Sequence, residues 1–212
     1  MKVGILGSGD VAKALGKGFL ASGHEVKLGS RDAAKVAGWS DHASASAGTF
    51  TEAANFGDVL VLAVKGTVAV EALRTTGIDA LGKKTVIDAT NPIAEAPPVD
   101  GILQFFTGPN DSLMERLQAA APEARFVKAF SCVGNPFMYK PNFPGGPPTM
   151  FICGNDDAAK TEVRGILTEF GWDAEDVGKA AGARAIEPLC QLWCARGFIH
   201  GKWTHAYKML TL

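Results

Sequence analysis

The sequence predicts an α/β fold, a doubly wound and mostly parallel sheet with a C-terminal helix. Three observations predict it. Short apolar runs of strand length alternate with stretches of helical period along nearly the whole chain. Several of those runs are unbroken, as in Val59-Leu60-Val61-Leu62-Ala63-Val64, which is how a parallel strand covered on both faces reads. The first run ends at once in Gly7-Ser8-Gly9-Asp10-Val11-Ala12, a glycine turn that opens a helix.

Taken in order, Val3, Ile5 and Leu6 make the first strand, and Val11, Ala14, Leu15, Gly18 and Phe19 recur at helical spacing after the turn. A second strand runs from His24 into Gly29-Ser30-Arg31, and Ala33 to Ala37 is expected as a short helix. The small residues from Gly38 to Gly48 read as loop or irregular helix, and Thr51 with Glu52 starts a brief helix before the strand at Val59. Thr67 opens a helix to about Thr76. The next strand, Thr85 to Thr90, must stop at Asn91-Pro92, because proline cannot continue a ladder. Ala94 to Pro109 is a long loop at a strand's carboxyl end, a place more often functional than idle.

Asp111 or Ser112 caps a helix to Ala120, Arg125 to Phe130 is a strand, and Pro141 to Pro148 is a lid or a crossover. Strand, helix and strand follow at Met150–Cys153, Ala158–Phe170 and Trp172–Val177. Residues 1–180 are thus expected to form the α/β domain and 181–212 a C-terminal helical segment. Ala185 to Leu210 is expected to be one helix, apolar nearly all round, with Trp193, His200, Trp203 and Tyr207 on one stripe and Leu192, Phe198 and Met209 opposite. A helix buried on both sides needs a second surface, so a homodimer through this helix is expected.

With 21 Lys plus Arg against 22 Asp plus Glu, the balance gives no reason to expect nucleic acid or an anionic membrane as partner. No apolar run approaches a membrane span, and strand residues follow Met1 directly, so a cytoplasmic location is expected. Cys132, Cys153, Cys190 and Cys194 fit no standard zinc spacing, so free thiols and no metal are expected.

The opening strand, turn and helix are those of a dinucleotide-binding Rossmann unit. Gly7 permits the sharp turn, Gly9 lets backbone approach a pyrophosphate, and Ala12 lets helix and strand pack closely. Ser8, Gly9, Asp10 and Val11 then offer the amides of the helix start to the diphosphate. The second strand closes on Ser30 and Arg31 where an NAD site usually offers a carboxylate. A hydroxyl and a planar cation suit a 2′-phosphate, so NADP is preferred. Asp32 either binds ribose or caps the following helix.

In an open α/β sheet the site lies outside the carboxyl ends of the strands, which nominates Val64, Lys65, Asn91, Pro92 and Ser131-Cys132-Val133. Lys65 either meets the diphosphate, ribose or an acceptor oxygen, or is a solvated strand end. Asn91 either binds the nicotinamide side or only makes a turn. These two are the candidate catalytic residues. Hydride transfer between two cofactors needs stacking and exclusion of water more than a protein acid, so a missing dyad does not argue against an enzyme.

Gly29-Ser30-Arg31, Thr90-Asn91-Pro92, Lys128-Ala129-Phe130 and Ile152-Cys153-Gly154-Asn155-Asp156, added to the glycine turn, carry a family resemblance. The chain resembles the NADPH-dependent F420 reductase family, with its bacterial dinucleotide-binding relatives and the cytosolic domains of six-transmembrane metalloreductases. The likeness covers most of the chain, and its specific part is the first. It implies Ser30 and Arg31 on the 2′-phosphate, and hydride passing between NADP(H) and a deazaflavin stacked face to face above the strand ends. Two departures leave the acceptor open between deazaflavin, flavin and another small molecule. Val64-Lys65-Gly66 stands where deazaflavin-using relatives carry an apolar-proline step, and the proline-rich Phe143 to Pro148 lies where the second cofactor would pass. The alternatives are an NADPH-dependent carbonyl or imine reductase and a non-catalytic NADPH-sensing module.

Overall fold

β1 (Lys2–Leu6) pairs in parallel with β2 (Glu25–Gly29) on one side and β4 (Val59–Leu62) on the other, and this central trio places the glycine turn. The computed structural model describes residues 1–36, 38–39 and 42–212. Outward from the trio, β3 (Ala45–Gly48) joins β2, and β5 (Thr85–Asp88) and β6 (Arg125–Lys128) follow β4, all parallel. β7 (Thr149–Gly154) turns antiparallel to β6 and carries β8 (Asp173–Asp176) parallel to itself. The sheet order is β3-β2-β1-β4-β5-β6-β7-β8, so the chain reverses its direction of travel between β1 and β4.

Alternating side chains along each strand feed two apolar layers. Val3, Ile5, Val61 and Val127 meet α1 (Asp10–Ala21) and α6 (Asp157–Glu169), with Phe19, Phe130 and Phe170 fully enclosed. Leu6, Leu60, Leu62, Val86 and Phe126 meet α2 (Phe50–Phe56), α3 (Ala69–Thr76) and α5 (Leu113–Ala120). A short α4 (Ile78–Leu81) precedes β5. Each fully buried side chain of this size contributes about 1.5–3 kcal/mol by leaving water.

Several boundaries depart from the sequence reading. Residues 45–48, expected as loop or irregular helix, are the edge strand β3, held by Val26 and its neighbours rather than by apolar content of their own. Of the short helix expected over 33–37, Ala33–Val36 is a 3-10 turn and Ala37 lies outside the described residues. α2 begins at Phe50 because Thr49 and Glu52 form a reciprocal capping box. The segment before β7 joins the end of β6 to its antiparallel neighbour β7, and Lys208 Nζ donates to the Pro147 carbonyl at 2.7 Å.

The largest correction concerns the C-terminus. The single helix expected from Ala185 to Leu210 is α7 (Ala183–Ile186) and α8 (Pro188–His200), and it ends at Gly201, which adopts a left-handed cap at φ 65°. The chain then folds back in irregular form. Trp203 packs on Trp193, with ring centroids 5.5 Å apart, and His205 stacks on it at 4.9 Å. Tyr207 accepts from the Thr149 amide at 2.8 Å. The aromatic stripe read as one helix face is therefore a helix residue met by a returning tail.

Candidate dinucleotide site

The turn between β1 and α1 is shaped by backbone proximity. A Cβ on Gly7 would lie 2.2 Å from the Ala63 carbonyl oxygen at the end of β4, so only glycine lets the two strand ends close up. Gly9 is the N-cap of α1 and caps it with no side chain, and a Cβ there would meet nothing within 4 Å. That open space sits over the first amides of a 12-residue helix, where unpaired N–H groups and the dipole favour an anion. Asp10 and Val11 form the first turn, and Ala12 is buried against the sheet.

At the end of β2 the Ser30 hydroxyl donates to Ser8 Oγ at 3.2 Å and accepts from the Asp32 amide at 3.1 Å, joining this loop to the glycine turn. The Asp32 carboxylate accepts from the Ala34 amide at 3.0 Å, the capping contact open to it in the sequence. Arg31 is exposed at the rim. Lys35, which sequence reasoning passed over, stands one turn further along the same rim. Its only signal was its place in the basic loop.

Gly7, Ser8, Gly9, Ser30, Arg31, Asp32 and Lys35 line a cleft of about 420 Å³ with Ala63, Val64, Lys65 and Glu95. A larger hollow of about 730 Å³ lies at the amino end of β6, bounded by Lys83, Glu123, Arg125 and Lys179. It mixes charges and lies away from the sheet's reversal point, so the smaller cleft is the candidate. Lys65 is exposed at the start of the 3-10 turn Gly66–Val68. Asn91 and Pro92 stand beside the cleft rather than in its lining. A Cβ on Gly66 would lie 2.0 Å from the Asn91 carbonyl oxygen, so the β4 and β5 loops touch through backbone.

Asn91 Nδ2 donates to the Ser131 carbonyl at 3.4 Å, while Asn91 Oδ1 and Ser131 Oγ are buried without a partner among the described residues. Buried polar atoms are ordinarily satisfied, so this pair reads as a place for a polar ligand. NADP fits these features: open amides for the diphosphate, Ser30, Arg31 and Lys35 for the 2′-phosphate, and two unmatched polar atoms for the nicotinamide side. Cys132, next to Ser131, is buried, and burial pushes its thiol up to about 12, which leaves it unreactive at neutral pH.

Sequence reasoning missed a buried ionic group under the β5 and β6 ends. Lys128 is wholly enclosed, 2.7 Å from Asp88 Oδ2 and 3.0 Å from Glu187 Oε1. Glu187 also accepts from the Leu113 and Met114 amides at 3.0 Å each, filling the start of α5 with negative charge. Burial pulls the Lys128 ammonium down, but Asp88 and Glu187 together outweigh it and hold the ammonium above its ordinary value. The signal in sequence was thin: an acid and a base closing adjacent strands, and a glutamate far along the chain.

Residues 2–92 match the family described as NADP oxidoreductase, coenzyme F420-dependent. That match takes in the chain from β1 to the loop after β5. A solved structure of a candidate F420-dependent NADP reductase from Arthrobacter sp. FB24 is 28% identical, superimposes with a TM-score of 0.91 and covers 100% of both chains. Metalloreductase STEAP3 of Rattus norvegicus is 29% identical over 89% of this chain, which spans 36% of that protein's length. A reductive aminase of Aspergillus terreus in complex with NADPH shares the fold, with a TM-score of 0.66 at 22% identity over 94% of this chain and 62% of that one. The matched family is one of NADP-dependent oxidoreductases. The match stops at Pro92, so β6 and the C-terminal helix lie beyond it. Among the described residues no helix is long and apolar enough to cross a membrane.

Proposed function

We propose that this chain is an NADPH-dependent oxidoreductase that transfers hydride between NADP(H) and a flat redox acceptor, a deazaflavin such as coenzyme F420 or a flavin. The observation that carries the reading is the cleft over the reversal between β1 and β4, with Ser30, Arg31 and Lys35 at one end and Lys65 at the other. The cofactor supplies the hydride. Gly9 and the first amides of α1 would hold its diphosphate, the Arg31 fork and the Ser30 hydroxyl would take the 2′-phosphate, and Asn91 and Ser131 would orient the nicotinamide side. Lys65 would lie along the diphosphate or acceptor. A cytoplasmic setting goes with the reading, and the four free cysteines fit it.

The test is consumption of NADPH by the purified protein, with F420, flavin mononucleotide, a ferric chelate and a carbonyl and imine panel offered separately. Turnover with F420 or the flavin supports the proposal. Turnover with a carbonyl or imine alone replaces it with the reductase reading, and NADPH binding without turnover replaces it with a sensing module. The homodimer is proposed with it: Leu192, Phe198 and Ile199 stand exposed on α8 beside Val99 and Ile102 of the neighbouring loop. Sedimentation should give a dimer mass that Ile199→Glu reduces to a monomer's; a monomeric wild type would refute this arrangement.

A further inference from the structure

Asp88 and Lys128 are register partners on adjacent parallel strands, and the alternation of the sheet turns both toward the layer of α5 and α7. Their neighbours on that face are Val86 and Phe126, so apolar side chains would fill the same space. A buried ionic group of this kind gives little net stability over apolar residues of similar volume, so its presence calls for another account.

The account lies in what the group holds. Asp88 Oδ1 accepts from the Thr90 amide at 2.9 Å and from the Thr90 hydroxyl at 2.6 Å, and Lys128 Nζ donates to the Thr90 carbonyl at 2.9 Å. All three polar groups of one residue are thereby fixed by the ion pair. The next residue is Asn91, whose Oδ1, with Ser131 Oγ, is buried and unmatched among the described residues. Glu187 closes the arrangement by tying Lys128 to the start of α5.

We propose that Lys128 is a positioning residue for the nicotinamide half of NADP(H): with Asp88 it clamps Thr90 so that Asn91 Oδ1 and Ser131 Oγ are presented, already aligned, to the carboxamide or ribose hydroxyls. This rests on the NADP reading of the cleft. A fixed acceptor and hydroxyl bind such groups without first giving up side-chain freedom, which is the advantage of preorganisation.

The experiment is calorimetric titration of wild type, Lys128→Met and Thr90→Val with two ligands. NADP+ carries both halves of the cofactor, and adenosine 2′,5′-bisphosphate carries the 2′-phosphate end without nicotinamide. In both variants the Kd for NADP+ should rise about tenfold while that for the bisphosphate stays within about twofold, the scale of one misplaced buried hydrogen bond. Equal weakening of both ligands, or no change in either, would overturn the proposal, since a merely structural role would not separate them. Should Lys128→Met fail to fold, Thr90→Val, which removes one hydroxyl and keeps the volume, decides the matter alone. A wild type that binds neither ligand overturns the NADP reading and this inference together. A wild type that binds the bisphosphate as tightly as NADP+ overturns only the nicotinamide contact.

Discussion

The cleft and the β5–β6 strand ends beside it are built on opposite principles. The β1–β2 end is open: glycines, helix amides and exposed cations form a surface with little beneath it that is specific to a ligand. The β5–β6 side is closed: Asp88, Lys128 and Glu187 lie wholly inside, and Asp88 and Lys128 hold the amide, hydroxyl and carbonyl of Thr90, next to Asn91. The contrast teaches that a site can be assembled from backbone shape at one end and from a hidden electrostatic framework at the other. The two should fail differently when altered.

The largest difference should be in stability. Lys128→Met leaves two buried carboxylates without their cation and should cost about 3–5 kcal/mol in denaturant unfolding. The same ammonium sets an alkaline limit. Its folded pKa lies above the ordinary 10.5, so its contribution is fully present below that value and is lost as pH rises through the folded value. Wild type should therefore lose stability at strongly alkaline pH more steeply than Lys128→Met, and parallel curves would refute the role given to this group.

Next in size is Gly7→Ala, whose added Cβ would press on the Ala63 carbonyl and should destabilise the fold by about 1–3 kcal/mol. At the open end, Arg31→Ala should raise the Kd for NADPH about tenfold, from the loss of a charge-assisted bond, and scarcely change NADH. Equal weakening of both cofactors would show that Arg31 does not meet the 2′-phosphate. The smallest expected effect on stability is that of Gly9→Ala, within about 0.5 kcal/mol because nothing surrounds the new methyl group. NADPH binding should nonetheless fall, because the methyl occupies the space over the helix amides. A Gly9→Ala protein that binds NADPH as well as wild type would break the assignment of that space to the diphosphate.

Much of the architecture was legible because its determinants are local. The unbroken run Val59–Leu62, the capped starts of α5 and α6, and the proline after Asn91 each state their structure within a few residues. β3 was missed since Ala45–Gly48 carries no strand signal and forms by pairing with β2. A helix to Leu210 is expected because the apolar pattern runs on past Gly201, whereas Gly201 ends the helix and a folded-back tail supplies Trp203 to the Trp193 cluster. Of the proposed site residues, Gly7, Ser8, Gly9, Ser30, Arg31, Val64 and Lys65 share one cleft, and Asn91 and Pro92 stand beside it.

By itself, then, the sequence determined the order of the strands and helices other than β3 and the C-terminal tail, the glycine turn and the basic loop that follows β2. Each of these depends on backbone freedom or periodicity within one short segment. Only the tertiary structure decided that Asp88, Lys128 and Glu187 form one buried group, and that Asn91 and Ser131 stand together with atoms unmatched among the described residues. The physical reason is distance along the chain. A charge in a sequence reads as surface until sheet register and helix packing show that its partners have closed over it.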